Sequence, residues 1–312
     1  MTPRIALVGE CMLELTRQPT APVGRSLPMN MSYGGDTLNS AVYLARQGAV
    51  VDYVTALGDD PMSSWMMEQW RGEGVRCDLV DCHKNAVPGM YLVETDDQGE
   101  RSFYYWRDSA PARYLFDDAE NTERLFKQLA DHTLICLSGI SLAIYSESSR
   151  QRLFAKLEEY RGNGGKVVFD SNYRPKLWPS VDVARQSYET MYRLTDIALP
   201  TIEDEQQVFE DSDQSAIIER LQSWGVQEIA LKLGPQGCMV IEGETRELVA
   251  ANQVAVVDTT SAGDSFNAGY LAARLKGFGV SHAARAGHNL ASAVIQHPGA
   301  IIPIEKMPPL LT

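Results

Sequence analysis

No run of apolar residues in this 312-residue chain is long enough to cross a bilayer as a helix, which argues against a membrane partner. Basic residues are scarce: 28 Lys and Arg stand against 41 Asp and Glu, a formal charge of −13. A field of that sign disfavours nucleic-acid partners, while local arginines can still invert it inside a pocket for an anionic substrate. Cysteines are few and odd in number (Cys11, Cys77, Cys82, Cys136, Cys238), and Cys77 and Cys82 lack the second pair a zinc site needs. Scattered reduced thiols predict a cytoplasmic protein. There is no Walker A sequence. The first strand-like run, Ile5 to Val8, is followed by Gly9-Glu10-Cys11-Met12 and not by G-x-G-x-x-G, which counts against a dinucleotide dehydrogenase. The chain shows no repeat, no low-complexity tract, no linker and no signal-peptide cleavage pattern.

What is present is organised around Asp258-Thr259-Thr260-Ser261-Ala262-Gly263-Asp264-Ser265-Phe266. The β-branched run Val254 to Val257 predicts a strand leading in, and the Ala- and Leu-rich stretch after it predicts a helix. Small residues let backbone N–H groups approach a ligand, and a helix start adds unpaired N–H groups with the positive end of the dipole. Such a site suits a phosphate or a developing oxyanion. Asp264 in the first turn would reach a hydroxyl lying over the same groups, an arrangement fit for phosphoryl transfer. The plainer alternative is a helix cap.

Strand-like runs alternate with helical ones along most of the chain. Val50 to Leu57 predicts a strand, and Met62 to Arg71 a helix. From residue 121, helices over Leu125–Ala130, Glu147–Arg161 and Val181–Leu194 alternate with strands over Leu134–Leu137, Val167–Phe169 and Ile197–Leu199. This predicts an α/β doubly wound, mostly parallel sheet with helices on both faces, and ligands beyond the C-terminal strand ends. Gly34-Gly35 precedes a helix over Leu38 to Ala45, with Asp36 or Thr37 as N-cap and Gly48 as C-cap. Met90–Thr95 and Arg101–Trp106, joined by Asp96-Asp97-Gln98-Gly99, predict a hairpin that interrupts the alternation.

The 258–264 stretch closely resembles the D-T-T-G-A-G-D signature of the ribokinase-like (PfkB) carbohydrate kinases, with Ser261 where Gly is usual. Gly34-Gly35, Asn39 and Leu44-Ala45-Arg46-Gln47-Gly48 resemble that family's N-terminal signature. The resemblance covers essentially the whole chain. It implies a single ribokinase-like domain over 1–312, with a small β-sheet lid from about 12–33 and 88–113. It implies that Asp264 is the catalytic base and that the backbone N–H groups of Ser261, Ala262, Gly263 and Asp264 form the anion hole, so the Ser261 side chain should matter little. Gly34, Gly35, Asn39 and Glu14 would line the sugar site, with Tyr91 and Tyr104 reaching it from the hairpin. Asp170-Ser171-Asn172-Tyr173-Arg174 resembles the D-x-N-x-R pattern of the 2-keto-3-deoxygluconate kinase branch. There Arg174, joined by Arg107, would hold the substrate's acid end, and Asp170 and Asn172 would lie near the phosphates and cation.

Gly234 and Gly237 match the family's nucleotide loop, with Lys232 on phosphate or over the ribose and Asn289 facing the adenine. Thr201 and Asp204 stand where the magnesium motif has Asn and Glu, which makes Asp204 the metal candidate. The implied partners are ATP, Mg2+, a sugar acid and a second copy of the chain through the lid, with a monovalent cation compatible. The implied reaction is phosphorylation of the sugar acid's terminal hydroxyl. A fructokinase or another ketose kinase is the alternative of the same class, and a non-catalytic sugar-binding regulator that of another.

Overall fold

A computed structural model describes residues 3–18, 24–95 and 101–311. Its strands are β1 (Arg4–Val8), β2 (Met12–Arg17), β3 (Met29–Gly34), β4 (Val50–Gly58), β5 (Val80–His83), β6 (Met90–Thr95), β7 (Arg101–Trp106), β8 (Leu134–Ser138), β9 (Lys166–Asp170), β10 (Ile197–Ala198), β11 (Glu228–Lys232), β12 (Cys238–Glu242) and β13 (Thr245–Val249). Its α-helices are α1 (Asp36–Arg46), α2 (Pro61–Gly72), α3 (Ala119–Leu129), α4 (Gly139–Ile144), α5 (Glu147–Gly162), α6 (Val181–Arg193), α7 (Ile202–Phe209), α8 (Gln214–Ser223), α9 (Ala262–Leu275) and α10 (Val280–Val294).

Nine strands form the main sheet in the order β13-β12-β11-β10-β9-β8-β1-β4-β5, parallel from β11 to β5 and antiparallel at the β12 and β13 edge. Its strands read as continuous apolar runs because both faces are covered. Ile5 and Leu7 point into a core shared with α1, α2, α9 and α10, while Ala6 and Val8 point into one shared with α3 to α8. The chain leaves β1 toward β4 on one side and reaches β8 on the other, so a crevice opens at the C-terminal ends of β1 and β8. The second sheet is separate and four-stranded, in the order β3-β2-β6-β7. The doubly wound expectation and the separate small sheet are both observed.

Local expectations needed correction in three places. Residues 254–257 form no strand; β13 already occupies the sheet edge, so the run crosses extended, with Val257 N–H bonded to Ile295 O at 2.8 Å and the Val256 and Val257 side chains exposed. Gly35, not Asp36 or Thr37, is the N-cap of α1, because the chain there is extended and Asp36 already lies in the helix. Gly48 lies one residue past the C-cap Gln47, at φ +85°. The hairpin turn proposed at Asp96 to Gly99 lies outside the described residues. Among the described residues, no helix is long and apolar enough to cross a membrane.

Candidate active site

The N-terminus of α9 opens at the C-terminal edge of the main sheet. Its N-cap, Ser261, sits in the left-handed region at φ +64°, a conformation that Gly adopts freely and Ser does not. The turn is needed because the chain reverses there into the helix, and Ser265 N–H closes the first helical bond on Ser261 O at 2.9 Å. Ala262 N–H is bonded to Thr259 O at 3.2 Å, which takes one of the four expected donors and leaves the Ser261, Gly263 and Asp264 N–H groups at the helix mouth. The loop before it is braced by Asp258, whose carboxylate accepts from Thr260 N–H at 2.9 Å, Thr260 Oγ1 at 2.7 Å and Gly299 N–H at 3.0 Å.

Asp264 is held by α1 from across the molecule. Asn39 Nδ2 donates to Asp264 Oδ2 at 2.9 Å, and Ser40 Oγ to the Asp264 carbonyl at 3.0 Å. Burial pushes the Asp264 carboxyl up to about 7, and the nearby charges of Asp36 and Asp170 push the same way, against the Asn39 hydrogen bond. Asp36 is itself raised by burial while accepting from Asn172 Nδ2 at 2.7 Å. Asn172 makes that contact at φ +30°, another strained non-glycine position. Asp170 is buried, with one oxygen on Lys232 Nζ at 2.9 Å and the other on Asn267 Nδ2 at 2.8 Å. Lys232 is buried too, and its ammonium lies 3.7 Å from where a side chain on Gly263 would begin.

The small sheet contributes a second group of residues. Glu14 Oε2 accepts from Tyr91 OH at 2.5 Å and Glu14 Oε1 from Ser32 Oγ at 3.0 Å. Gly34 is required here, since a Cβ would come within 2.3 Å of Tyr91 OH, and one on Gly35 would meet the Glu10 carbonyl at 2.3 Å. Tyr91 stands directly opposite Tyr105 in the β6–β7 ladder, their rings 5.8 Å apart, so Tyr105 shares its face. Tyr104, the expected partner, pairs with Leu92 on the other face. Arg107 is buried, ion-paired with Glu10, and its guanidinium lies 5.8 Å from the Tyr105 ring. Burial raises the Glu10 carboxyl, and Arg107 opposes the shift. Arg174, by contrast, is exposed and donates to the Tyr173 carbonyl at 2.9 Å.

On the remaining side, Gly234 and Gly237 both take positive φ, and a Cβ on Gly237 would meet Val249 O at 2.1 Å. Asn289 is partly exposed on α10. Asp204 is raised by burial and accepts from Ser171 Oγ at 2.8 Å, while Thr201 N–H donates to the same Ser171 oxygen at 3.0 Å. Among the described residues, no group of three or more acidic, His or Cys side chains forms a metal cage. Asp36, Ser40 and Asn267, which the structure brings against these groups, were not among the candidates read from the sequence, while Glu10 was noted there only as a strand end and Tyr105 only as the alternative to Tyr104. Asn267 had a readable signal, standing three residues after Asp264 on the same helical face.

Residues 2–307 match the family model described as pfkB family carbohydrate kinase. A 2-dehydro-3-deoxygluconokinase of Dickeya dadantii is 47% identical over 98% of this chain and 99% of its own length. The solved 2-dehydro-3-deoxygluconokinase of Thermotoga maritima superposes with a TM-score of 0.85 at 21% identity, covering 98% of this chain and 97% of that one. A ribokinase II protein of Escherichia coli solved with ATP and Mg2+ superposes with a TM-score of 0.83 at 21% identity, over 99% of this chain and 96% of that one.

Proposed function

The chain belongs to the pfkB family of carbohydrate kinases, and from that premise we propose how its site divides the work of phosphorylating 2-dehydro-3-deoxygluconate (2-keto-3-deoxygluconate). The protein is a sugar kinase that transfers the γ-phosphoryl group of ATP to that sugar acid. The reading of a non-catalytic regulator is set aside. One observation carries the substrate: the 47% identity to a kinase of that name over nearly the full length of both chains.

Asp264 accepts the proton of the sugar's terminal hydroxyl as that oxygen bonds to the γ-phosphorus and the bond to the ADP oxygen breaks. A carboxyl raised to about 7 suits a base working near neutral pH. The N–H groups of Gly263 and Asp264 meet the charge on the transferring oxygens, with the Lys232 ammonium behind them. Asp204 would be the protein-side group for a magnesium ion, which would supply charge neutralisation at the phosphates. A monovalent cation remains part of the proposal.

Glu14, Tyr91 and Tyr105 line the sugar side, with Gly34, Gly35 and Asn39 beneath, and the small sheet acts as a lid. Arg107 holds the substrate carboxylate through the donors Glu10 leaves free, and the exposed Arg174 closes on it from the loop after β9. Gly234, Gly237, Asn172 and Asn289 attend the nucleotide. The outward face of the small sheet, carrying exposed Met31, Tyr104 and Trp106, would pair with a second copy, a proposal that the mass in solution tests. Steady-state ADP release with 2-dehydro-3-deoxygluconate and fructose side by side tests the function; a wild-type preference for fructose would replace the sugar-acid reading with the ketose-kinase one.

A further inference from the structure

Ser261 breaks a local rule without an evident structural gain. It holds φ +64° where glycine would be unstrained, and it makes no side-chain capping bond to its own helix. Its Oγ is shut off from solvent and, among the described residues, makes no well-formed hydrogen bond. A strained residue carrying an orphaned buried donor at the mouth of a reactive site is the kind of outlier that points to function.

The position of that hydroxyl is informative. The Asp264 carboxylate is already held at Oδ2 by Asn39, from the α1 side. Ser261, the N-cap of α9, stands three residues before Asp264, one turn away on the same face of the helix, and its buried hydroxyl lies near enough to that carboxyl to favour its charged form. The other charged groups around it are Asp36 on α1 and Asp170 at the end of β9, both of which oppose ionisation, and Lys232 at the end of β11, beside Gly263. Tyr43 of α1 also senses the Asp264 charge.

We infer that Ser261 is a positioning residue for the base: its hydroxyl closes onto the Asp264 carboxylate opposite Asn39, fixing the carboxylate's direction and keeping it ionised. The inference rests on the proposed role of Asp264, and it revises the expectation that the Ser261 side chain matters little. A glycine would supply the same backbone turn but no such donor.

Two substitutions separate the hydroxyl from the strain. Ser261→Ala removes the donor and keeps the unfavourable φ; Ser261→Gly removes both and is expected to melt higher than wild type. If the inference holds, both variants lose about tenfold in kcat with KM for ATP unchanged. In both, the acidic limb of the kcat/KM profile moves up by about half to one pH unit. An unmoved limb, or a Gly variant at or above wild-type turnover at every pH, overturns it. A tenfold loss without a limb shift also overturns it, since that would make the hydroxyl a donor to the phosphoryl group instead. Asp264→Asn, run alongside, keeps the two claims apart. Full turnover in that variant sinks the base assignment, whereas a dead Asp264→Asn with a normal Ser261→Ala profile sinks only this one.

Discussion

Two buried charge clusters sit at opposite ends of the same sheet, and they are built on opposite principles. At the N-terminal ends of the strands, Asp52 is met by Arg4 at 2.9 Å, Arg76 at 3.3 Å and His132 at 3.0 Å. Burial alone would raise its carboxyl, but hydrogen bonds from His132 and Arg4 hold it below the ordinary range. At the C-terminal ends, Asp36, Asp170 and Asp264 feel one another's charge, Lys232 is bonded to Asp170, and Asp36 and Asp264 are pushed up. The first cluster is compensated and serves the fold. The second keeps a surplus of negative charge next to the N-terminus of α9, with strain at Asn172 and Ser261, and that is what a site holding a base in readiness looks like.

The sharpest break in this comparison comes from neutralising one carboxylate at each end. Asp264→Asn should lower kcat by roughly 10²–10⁴-fold while nucleotide affinity is kept. The same change should stabilise the fold. A carboxyl whose folded pKa is raised to about 7 favours the folded state while protonated, and that advantage is lost as pH rises from the unfolded value toward 7. The variant should therefore gain melting temperature over wild type at pH 8 and little at pH 5, at roughly 2–4 °C for each kcal/mol relieved. Equal gains at both pH values would remove the electrostatic account.

Asp52→Asn should do the reverse. It leaves Arg4 without the buried carboxylate that it meets, at an expected loss of about 3 kcal/mol in denaturant unfolding, with kcat of the folded fraction unchanged. The wild-type contribution of Asp52 is present above the unfolded carboxylate range and fades as pH falls through its lowered folded value. A large fall in kcat at full stability would erase the distinction between the two ends.

Smaller effects sharpen the picture of the sugar side. Arg107→Lys keeps the charge facing Glu10 but loses the planar fork, and kcat/KM for the sugar acid should fall about tenfold to a hundredfold, with neutral ketoses hardly affected. Arg174→Lys should lose less, because Arg174 is exposed and bonded only to its neighbour's carbonyl among the described groups. The smallest expected effect separates two adjacent tyrosines. Tyr105→Phe should raise the sugar KM a few-fold, about the worth of one neutral hydrogen bond, while Tyr104→Phe leaves it unchanged. A response at Tyr104 alone would mean that the outer face of the small sheet, not the Tyr91 face, meets the sugar.

Much of this was legible because the signals were local or periodic. Apolar runs bounded by glycine and polar residues marked the strands β1, β4, β8 and β9, and helical spacing marked α1, α5 and α6. The strand at 254–257 failed for a reason no local pattern carries: β-branched residues extend a chain, but a strand needs an edge to pair with, and β13 had taken it. The choice between Tyr104 and Tyr105 failed similarly, since register is set between strands and a one-residue shift exchanges the faces.

By itself, then, the order of residues determined the alternation of strands and helices and the helix start that presents N–H groups beside Asp264, because each depends on neighbours within a turn or two of chain. Only the tertiary structure decided that Asn39 and Ser40 clamp Asp264 from 225 and 224 residues away. It also bonded Ala262 N–H to Thr259 O, buried Lys232 on Asp170, joined Arg107 to Glu10 and brought the Asp36 charge to bear on Asp264. Those are long-range facts of charge and contact. A carboxylate's pKa is set by what surrounds it in space, and parallel strands bring together residues that are far apart along the chain.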